Sequence, residues 1–224
     1  VTAFTAINLL VGALGPLAMA ATTLAFNVNS VAWVPMIGMG IAVSTLVGQQ
    51  LGHNRPELAA RATWTAFWMG FAYMGTMALV YVVIPDVLLL GHKAGTTPEQ
   101  FDALRDLTIV LLRFVAVYCV FDAMNMIFVS ALKGAGDMRF VLLSTMVISP
   151  LPILAAWFGI RYFDLGLLWA WAVVTAWIST LGIIYLARFL QGRWKAMRVI
   201  EPEYAIEPTP EPPEPAVAVG GESL

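Results

Sequence analysis

A single carboxylate, Asp122, lies in the middle of an apolar run that is long enough to cross a membrane. It is the only charged residue between Phe114 and Leu132. An unpaired carboxylate at the centre of a spanning helix costs roughly 3 kcal/mol on insertion scales, so such residues usually have a function. An acid at that depth can take up and release a proton or hold a cation. Asp122 therefore indicates ion-coupled transport.

Two polar residues share the helical face of Asp122, and the nearest cation does not. Asn125 follows by three positions and Tyr118 precedes by four, which places all three side chains on one stripe. Arg113 lies nine positions away, on the opposite face, near a helix end where it can snorkel to the interface. Such a stripe is expected to face the bundle interior or a wet cavity. The alternative is a purely structural Asp bonded to a neighbouring helix.

An earlier apolar segment carries two amides, Asn27 and Asn29, followed by Pro35. Amide oxygens at that depth can coordinate a cation, and helix packing explains the two residues equally well. Pro35 removes one intrahelical hydrogen bond, and we expect it to interrupt the segment. Carbonyl groups freed in this way commonly line the cavities of transporters, although a static kink would have the same sequence.

The composition is that of an integral membrane protein. Of the 224 residues, 60% are hydrophobic and 12% are charged, whereas soluble domains average about 45–50% and 25%. Nothing in the charge pattern suggests a nucleic-acid partner. The single cysteine, Cys119, is predicted to be a small buried hydrophobe. His53 and His92 fall in loops, and no hydrolase, zinc or nucleotide-binding motif is present, so an enzyme is not expected.

Six apolar segments predict an all-α, polytopic membrane helix bundle within a domain that covers residues 1–198. A span needs about 20 residues, so the first segment is too short and is expected to be truncated. Pro150 and Pro152 should break the backbone hydrogen bonding of the fifth segment. The Pro- and Glu-rich tail, residues 199–224, is predicted to be disordered. The predicted spans cover residues 1–12, 16–48, 61–84, 104–132, 140–160 and 165–190.

Lysine and arginine residues are distributed unequally between the two ends of these spans. The end that carries eight of them is expected to be cytoplasmic, together with the C-terminal tail. The end that carries three is expected to face outward, together with the loop 85–104. Trp194 is expected at the membrane interface. The cytoplasmic set is Arg55, Arg61, Lys133, Arg139, Arg188, Arg193, Lys195 and Arg198, and the outward set is Lys93, Arg105 and Arg161.

Two junctions at helix ends carry a recognisable pattern. One reads Ile41-Ala-Val-Ser-Thr-Leu-Val-Gly-Gln-Gln-Leu-Gly52, and the other reads Ser130-Ala-Leu-Lys-Gly-Ala-Gly-Asp137-Met-Arg139. Together with Gly12-Ala-Leu-Gly15, they resemble the multidrug and toxic compound extrusion (MATE) family, of the bacterial NorM/DinF-like kind, over about residues 1–200. We interpret the junctions as structural gates. Their glycines are expected to form tight turns with positive φ. The junction residues singled out in this way are Gly48, Gln49, Gly52, Gly134, Gly136 and Asp137.

The resemblance implies the C-terminal lobe of a transporter with twelve spans in two six-helix lobes, in the inner membrane of a bacterial cell. It implies an antiporter that exports organic, drug-like cations in exchange for H⁺ or Na⁺. An N-terminal lobe would be its partner, and no cofactor is implied besides the coupling ion.

The resemblance also implies roles for individual residues. Asp122 corresponds to an acid that takes part in cation binding, with Na⁺ as one candidate ion, and Asn125 and Tyr118 share its face. Asn27 matches a polar position of the second helix of the lobe. NorM-like members carry a further acid, a Glu, in the first helix, and that position would fall just before Val1.

Two other functions are compatible with the sequence. A related flippase of lipid-linked precursors would favour a large basic cavity, whereas Arg113 is the only intramembrane cation of this chain. A structural or regulatory membrane subunit could use the acidic, proline-rich tail for docking. Deleting the tail after Arg198 would distinguish that role from transport.

Overall fold

The computed structural model describes residues 2–89 and 98–197, and every regular element in these ranges is helical. The predictions for His92, Lys93, Arg198 and the tail 199–224 lie outside the described residues. The helices are α1 (Thr2–Gly12), α2 (Pro16–Gly52), α3 (Pro56–Val83), α4 (Pro85–Leu89), α5 (Pro98–Gly134), α6 (Met138–Ile148), α7 (Pro150–Phe163) and α8 (Gly166–Leu190), followed by a 3₁₀ helix, Arg193–Ala196.

The described helices confirm an all-α membrane bundle. Five stretches are long and apolar enough to cross a membrane, namely α2, α3, most of α5, α6 with α7, and α8. The first predicted segment is α1, which has 11 residues and is shorter than a membrane span.

Proline residues mark where several of these helices begin. Pro16, Pro56 and Pro150 each occupy the first turn, where the missing N–H would have no partner within the helix. For α3 the start at Pro56 lies five residues before the predicted one. Glu57 then lies in the first turn, where its negative charge is favourable near the helix N-terminus.

The central helix of the bundle is α5. Half of its most apolar stretch is buried, compared with 28% for α2, α3 and α8. It packs extensively against each of these three helices. Polar side chains on α5 therefore meet protein on most sides, which is where a bilayer tolerates them.

Small residues let α2 and α5 approach each other closely. A Cβ atom added to Gly40 would lie 2.7 Å from Ser130 Oγ, and one added to Gly48 would lie 3.2 Å from the carbonyl oxygen of Gly134. A Cβ on Gly134 would overlap the backbone of Ser44. Helices associate in lipid through this kind of close backbone contact. These five residues form what we call the α2–α5 seam.

The other two neighbours of α5 pack by different contacts. Gly182 of α8 lies against α5, where an added Cβ would be 2.9 Å from the carbonyl oxygen of Phe121. Helix α3 uses aromatic rings, and Trp64 meets Phe128 at 5.5 Å and Phe189 of α8 at 6.2 Å between centroids. Edge-on ring pairs of this kind add about 0.5–1.5 kcal/mol each beyond their buried area.

The interior prolines act differently in the two spans that contain them. Helix α2 continues through Pro35, so the expected interruption there is wrong. The proline removes only one backbone donor, and neighbouring helices hold the rest of α2 in place. The fifth predicted span is broken as expected, because α6 ends at Ile148 and α7 begins at Pro150. Ser149 keeps helical dihedral angles between them (φ −63°, ψ −30°), so no loop intervenes.

The junction glycines differ from the prediction of positive φ. Of Gly48, Gly52, Gly134 and Gly136, Gly136 alone has a positive φ, of 86°. The other three lie inside α2 or α5, where two of them serve close packing. The left-handed residue of the first junction is Asn54, at φ 57°, and asparagine tolerates that conformation well. Gln49 is exposed, and its carbonyl oxygen accepts a hydrogen bond from the amide of His53 at 3.0 Å.

An ion pair holds the second junction against α8. Arg188 Nε donates to Asp137 Oδ2 at 2.7 Å, and its guanidinium carbon lies 4.6 Å from the centre of the Phe140 ring. The two charged side chains are 12% and 5% exposed. Asp137 directly precedes α6, where a negative charge is favourable. Arg188, predicted to be one of the cytoplasmic charges, is thus built into the bundle.

The chain after α8 folds back over the end of the aromatic core. Gly192 makes the turn with a φ of 72°. The Trp194 ring stacks on Phe189 at 4.7 Å, and its Nε1 donates to the Phe189 carbonyl at 2.8 Å. Trp194 is only 1% exposed, so its ring is buried against the aromatic core. Lys195 pairs with Glu57 of α3 at 3.0 Å.

Replacing Gly134 by alanine should destabilise the bundle, because the new methyl group would overlap the backbone of Ser44 and force the seam apart. We expect a loss of about 1–3 kcal/mol, as for other overpacked sites. The matched control is Gly75→Ala in α3, since nothing lies within 4 Å of a Cβ there. Thermal unfolding of the detergent-solubilised protein would measure both variants. Equal unfolding temperatures for the two would contradict the close contact.

Removing one partner of the Asp137–Arg188 pair should also be costly, because the remaining charge would be buried alone. We expect Asp137→Asn to destabilise the protein by about 3 kcal/mol. Glu57→Gln is the control, because Glu57 and Lys195 are exposed and such surface pairs contribute little. The same thermal measurement compares them, and an effect of similar size in both variants would argue against a structural role for the buried pair.

Candidate functional site

Asp122 lies within the membrane-spanning part of α5 and is 6% exposed. Measured along the helix axis, Asp122 lies about 18 Å from the end of α5 at Gly134. This distance places it near the middle of a ~30 Å hydrocarbon core. Its polar neighbours include Asn125 on the same helix and the indole of Trp33 on α2. Trp33 is 42% exposed, so its ring both neighbours the buried carboxylate and reaches the surface of the described chain.

No cationic side chain neutralises Asp122 within residues 5–89 and 101–197. The four ion pairs there join other residues. Arg113 is exposed and lies on the opposite face of α5. A buried carboxylate without a cationic partner is unfavourable in its charged form. Asp122 is therefore suited to binding a proton or an external cation.

A second group of polar side chains lies one helical turn before Asp122. Asn29 Nδ2 donates to the Tyr118 hydroxyl at 3.1 Å, and Cys119 Sγ donates to Asn29 Oδ1 at 3.6 Å. These side chains are 7%, 3% and 0% exposed for Asn29, Tyr118 and Cys119. Cys119 is buried as predicted, and it also serves as a weak donor.

The predicted site residues are only partly brought together. Asn125 and Tyr118 lie on the Asp122 side of α5, whereas Asn27 is exposed and its carbonyl accepts a hydrogen bond from Ser30 Oγ at 2.7 Å. Two positions along a helix turn the chain by about 200°, so Asn27 faces away from Asn29. The predicted junction residues lie at the far end of α2 and α5, as described above.

Trp33 is the site residue that the sequence reasoning missed. Spacing alone could have identified it, because Trp33 follows Asn29 by four positions and so shares its face of α2. Phe26 and Thr22 continue this face in the other direction. The polar and aromatic side chains of α2 thus form one stripe directed at α5 and α8.

An aromatic cleft lies at the end of that stripe, between α1, α2 and α8. The rings of Phe26 and Trp171 stack at 5.0 Å with an angle of 21° between their planes. Trp171 Nε1 donates to Thr22 Oγ1 at 3.3 Å, which holds the indole in place. The cleft is predominantly apolar, and its volume of about 10 Å³ leaves room for no more than about one water molecule.

The donor set around Asp122 suits a hard cation or a proton. The Asp122 carboxylate and the Asn125 amide provide oxygen atoms, which are the ligands preferred by hard ions, and the Tyr118 phenol lies on the same face of α5. Among the described residues, no group of three or more His, Cys, Asp or Glu side chains is placed to hold a metal ion. The arrangement offers ion binding and contains no nucleophile paired with a base.

Comparison with known proteins identifies the family. The profile of the MatE family matches residues 1–158. The chain is 28% identical over 196 residues to a probable multidrug resistance protein NorM from Mesorhizobium japonicum, covering 85% of this chain and 41% of the relative. It is 33% identical over 165 residues to the multidrug resistance protein NorM from Burkholderia vietnamiensis, covering 74% and 33%.

The fold has a counterpart among solved structures. A MOP superfamily transporter from Pyrococcus furiosus Vc1 superimposes with a TM-score of 0.75 at 18% identity, covering 89% of this chain and 43% of that one. The chain thus spans less than half the length of the proteins it matches. Members of the family are transporters and not enzymes. With the profile matched over most of its length, the chain belongs to the MatE family of membrane transporters.

Proposed function

We propose that this chain is the C-terminal lobe of a secondary active antiporter that exports organic cations in exchange for H⁺ or Na⁺. The single observation that supports this most strongly is the buried Asp122 carboxylate, which has no cationic side chain beside it among the described residues. Membership of the MatE family supports the transport part of the proposal. The two relatives compared above are named as multidrug resistance proteins.

The coupling ion acts by neutralising Asp122. A proton would bind the carboxylate directly, whereas Na⁺ would use the carboxylate together with oxygen atoms of Asn125 and Tyr118. Either ion removes the cost of a buried charge. The ion shifts the equilibrium between two conformations of the transporter only to the extent that it binds one of them more tightly. Asp122 is the natural source of that difference, because its burial makes the charged form expensive.

The exported substrate competes with the ion for the same carboxylate. Trp33 neighbours Asp122 and is 42% exposed, and an indole face attracts organic cations. A flat cation could therefore place its charge near Asp122 and its apolar body against the Trp33 ring, in place of the ion.

The membrane setting follows from the helices and from the charges at their ends. We propose the inner membrane of the cell and a cytoplasmic C-terminus. The ends that carry Arg55, Arg61, Lys133 and Arg139 all lie on one side if successive spans alternate in direction. The N-terminal lobe of the same transporter is the expected partner.

The decisive variant is Asp122→Asn in the complete transporter, because the amide keeps the shape but lacks the negative charge that a proton or a cation would neutralise. We expect ion-driven efflux of a fluorescent organic cation from proteoliposomes to be abolished, with normal expression and folding. The control is Asp164→Asn, which makes the same chemical change at an exposed residue with a left-handed backbone. Asparagine tolerates that conformation. Coupled efflux that survives in Asp122→Asn would overturn the proposal.

A further inference from the structure

Polar contacts between α2 and α5 keep a constant register. Asn29 contacts Tyr118 and Cys119, which are 89 and 90 positions later. Trp33 and Asp122 are also 89 positions apart. Over the next turns the small residues of the seam keep this register, with Gly40 against Ser130 and Ser44 against Gly134.

Asn29 bridges Tyr118 and Cys119 in this register. Its amide nitrogen donates to the Tyr118 hydroxyl, and its amide oxygen accepts from the Cys119 thiol. All three side chains are buried. Asn29 therefore ties the Tyr118 hydroxyl of α5 to α2.

This bridge has a consequence for the Tyr118 hydroxyl. Because Asn29 donates to it, one lone pair of the oxygen is occupied and its own proton stays available for another acceptor. Tyr118 lies four positions before Asp122 on the same face of α5. The hydroxyl is thus tied to Asn29 on the side of α5 that also carries the Asp122 carboxylate.

We propose that Asn29 is a positioning residue for ion coupling: its amide holds the Tyr118 hydroxyl in the geometry that the ion-bound state of Asp122 requires. This role rests on the function proposed above and goes beyond it, because the side-chain hydrogen bonds of Asn29 are made to Tyr118 and Cys119. Its effect reaches the ion only through Tyr118.

The test measures efflux against coupling-ion concentration for the complete transporter in proteoliposomes. Asn29→Leu keeps the volume but removes both hydrogen bonds. We expect the ion concentration for half-maximal efflux to rise about tenfold, the usual effect of losing one buried hydrogen bond, with the maximal rate and the thermal stability changed much less. Asn27→Leu, on the exposed side of the same helix, is the matched control and should leave the ion dependence unchanged.

Tyr118→Phe separates positioning from packing. It should shift the ion dependence, and adding Asn29→Leu to it should cause little further change, because the two residues act in series.

Several outcomes would overturn the proposal. Additive effects of Asn29→Leu and Tyr118→Phe would show that Asn29 does not act through Tyr118. Loss of maximal rate and of thermal stability, with an unchanged ion dependence, would mean that Asn29 only packs. Failure of the proposed function is distinguishable, because in that case Asp122→Asn would retain coupled efflux, whereas failure of the Asn29 role leaves the Asp122→Asn result intact.

Discussion

The close parallel contact between α2 and α5 is the constraint on which the rest of the bundle depends. Gly40, Gly48 and Gly134 bring the two backbones close enough that a single added methyl group would meet a neighbouring side chain or backbone atom. In lipid no hydrophobic force presses helices together, so association depends on this kind of fit. Because the fit involves backbone atoms, it permits very little sliding or rotation. The relative position of the two helices is therefore specified along their whole contact.

That position decides which polar groups meet in the membrane interior. With the seam in register, Asn29 reaches Tyr118, and the Trp33 indole reaches Asp122. A rotation of either helix by one residue, about 100°, would direct these groups at apolar neighbours or lipid, where unsatisfied polar groups are costly. The small residues and the polar residues thus specify the same arrangement, one through shape and the other through hydrogen bonding.

The second junction and the middle of α5 differ in how their charges are compensated. At the second junction Asp137 is matched by Arg188, so the charges are compensated and the junction is fixed. In the middle of α5, Asp122 has polar neighbours but no cationic side chain among the described residues. A compensated pair stabilises one conformation, whereas an uncompensated carboxylate makes the stability of a conformation depend on what binds. This contrast is the physical basis for our proposal that the junction is structural and that Asp122 couples transport to an ion.

The sequence by itself determined the membrane class, the helical spans and the cost of Asp122, because hydropathy and helical period act within one segment. It also placed Asn125 and Tyr118 on the Asp122 face, since residues on a single helix share a known geometry. It could not choose between Asn27 and Asn29, show that Trp33 lies beside Asp122, or show that Gly48 and Gly134 serve packing. Those features depend on how one helix is rotated against another. Only the tertiary structure decides that rotation, because it results from the fit of backbone and side-chain atoms between segments far apart in the sequence.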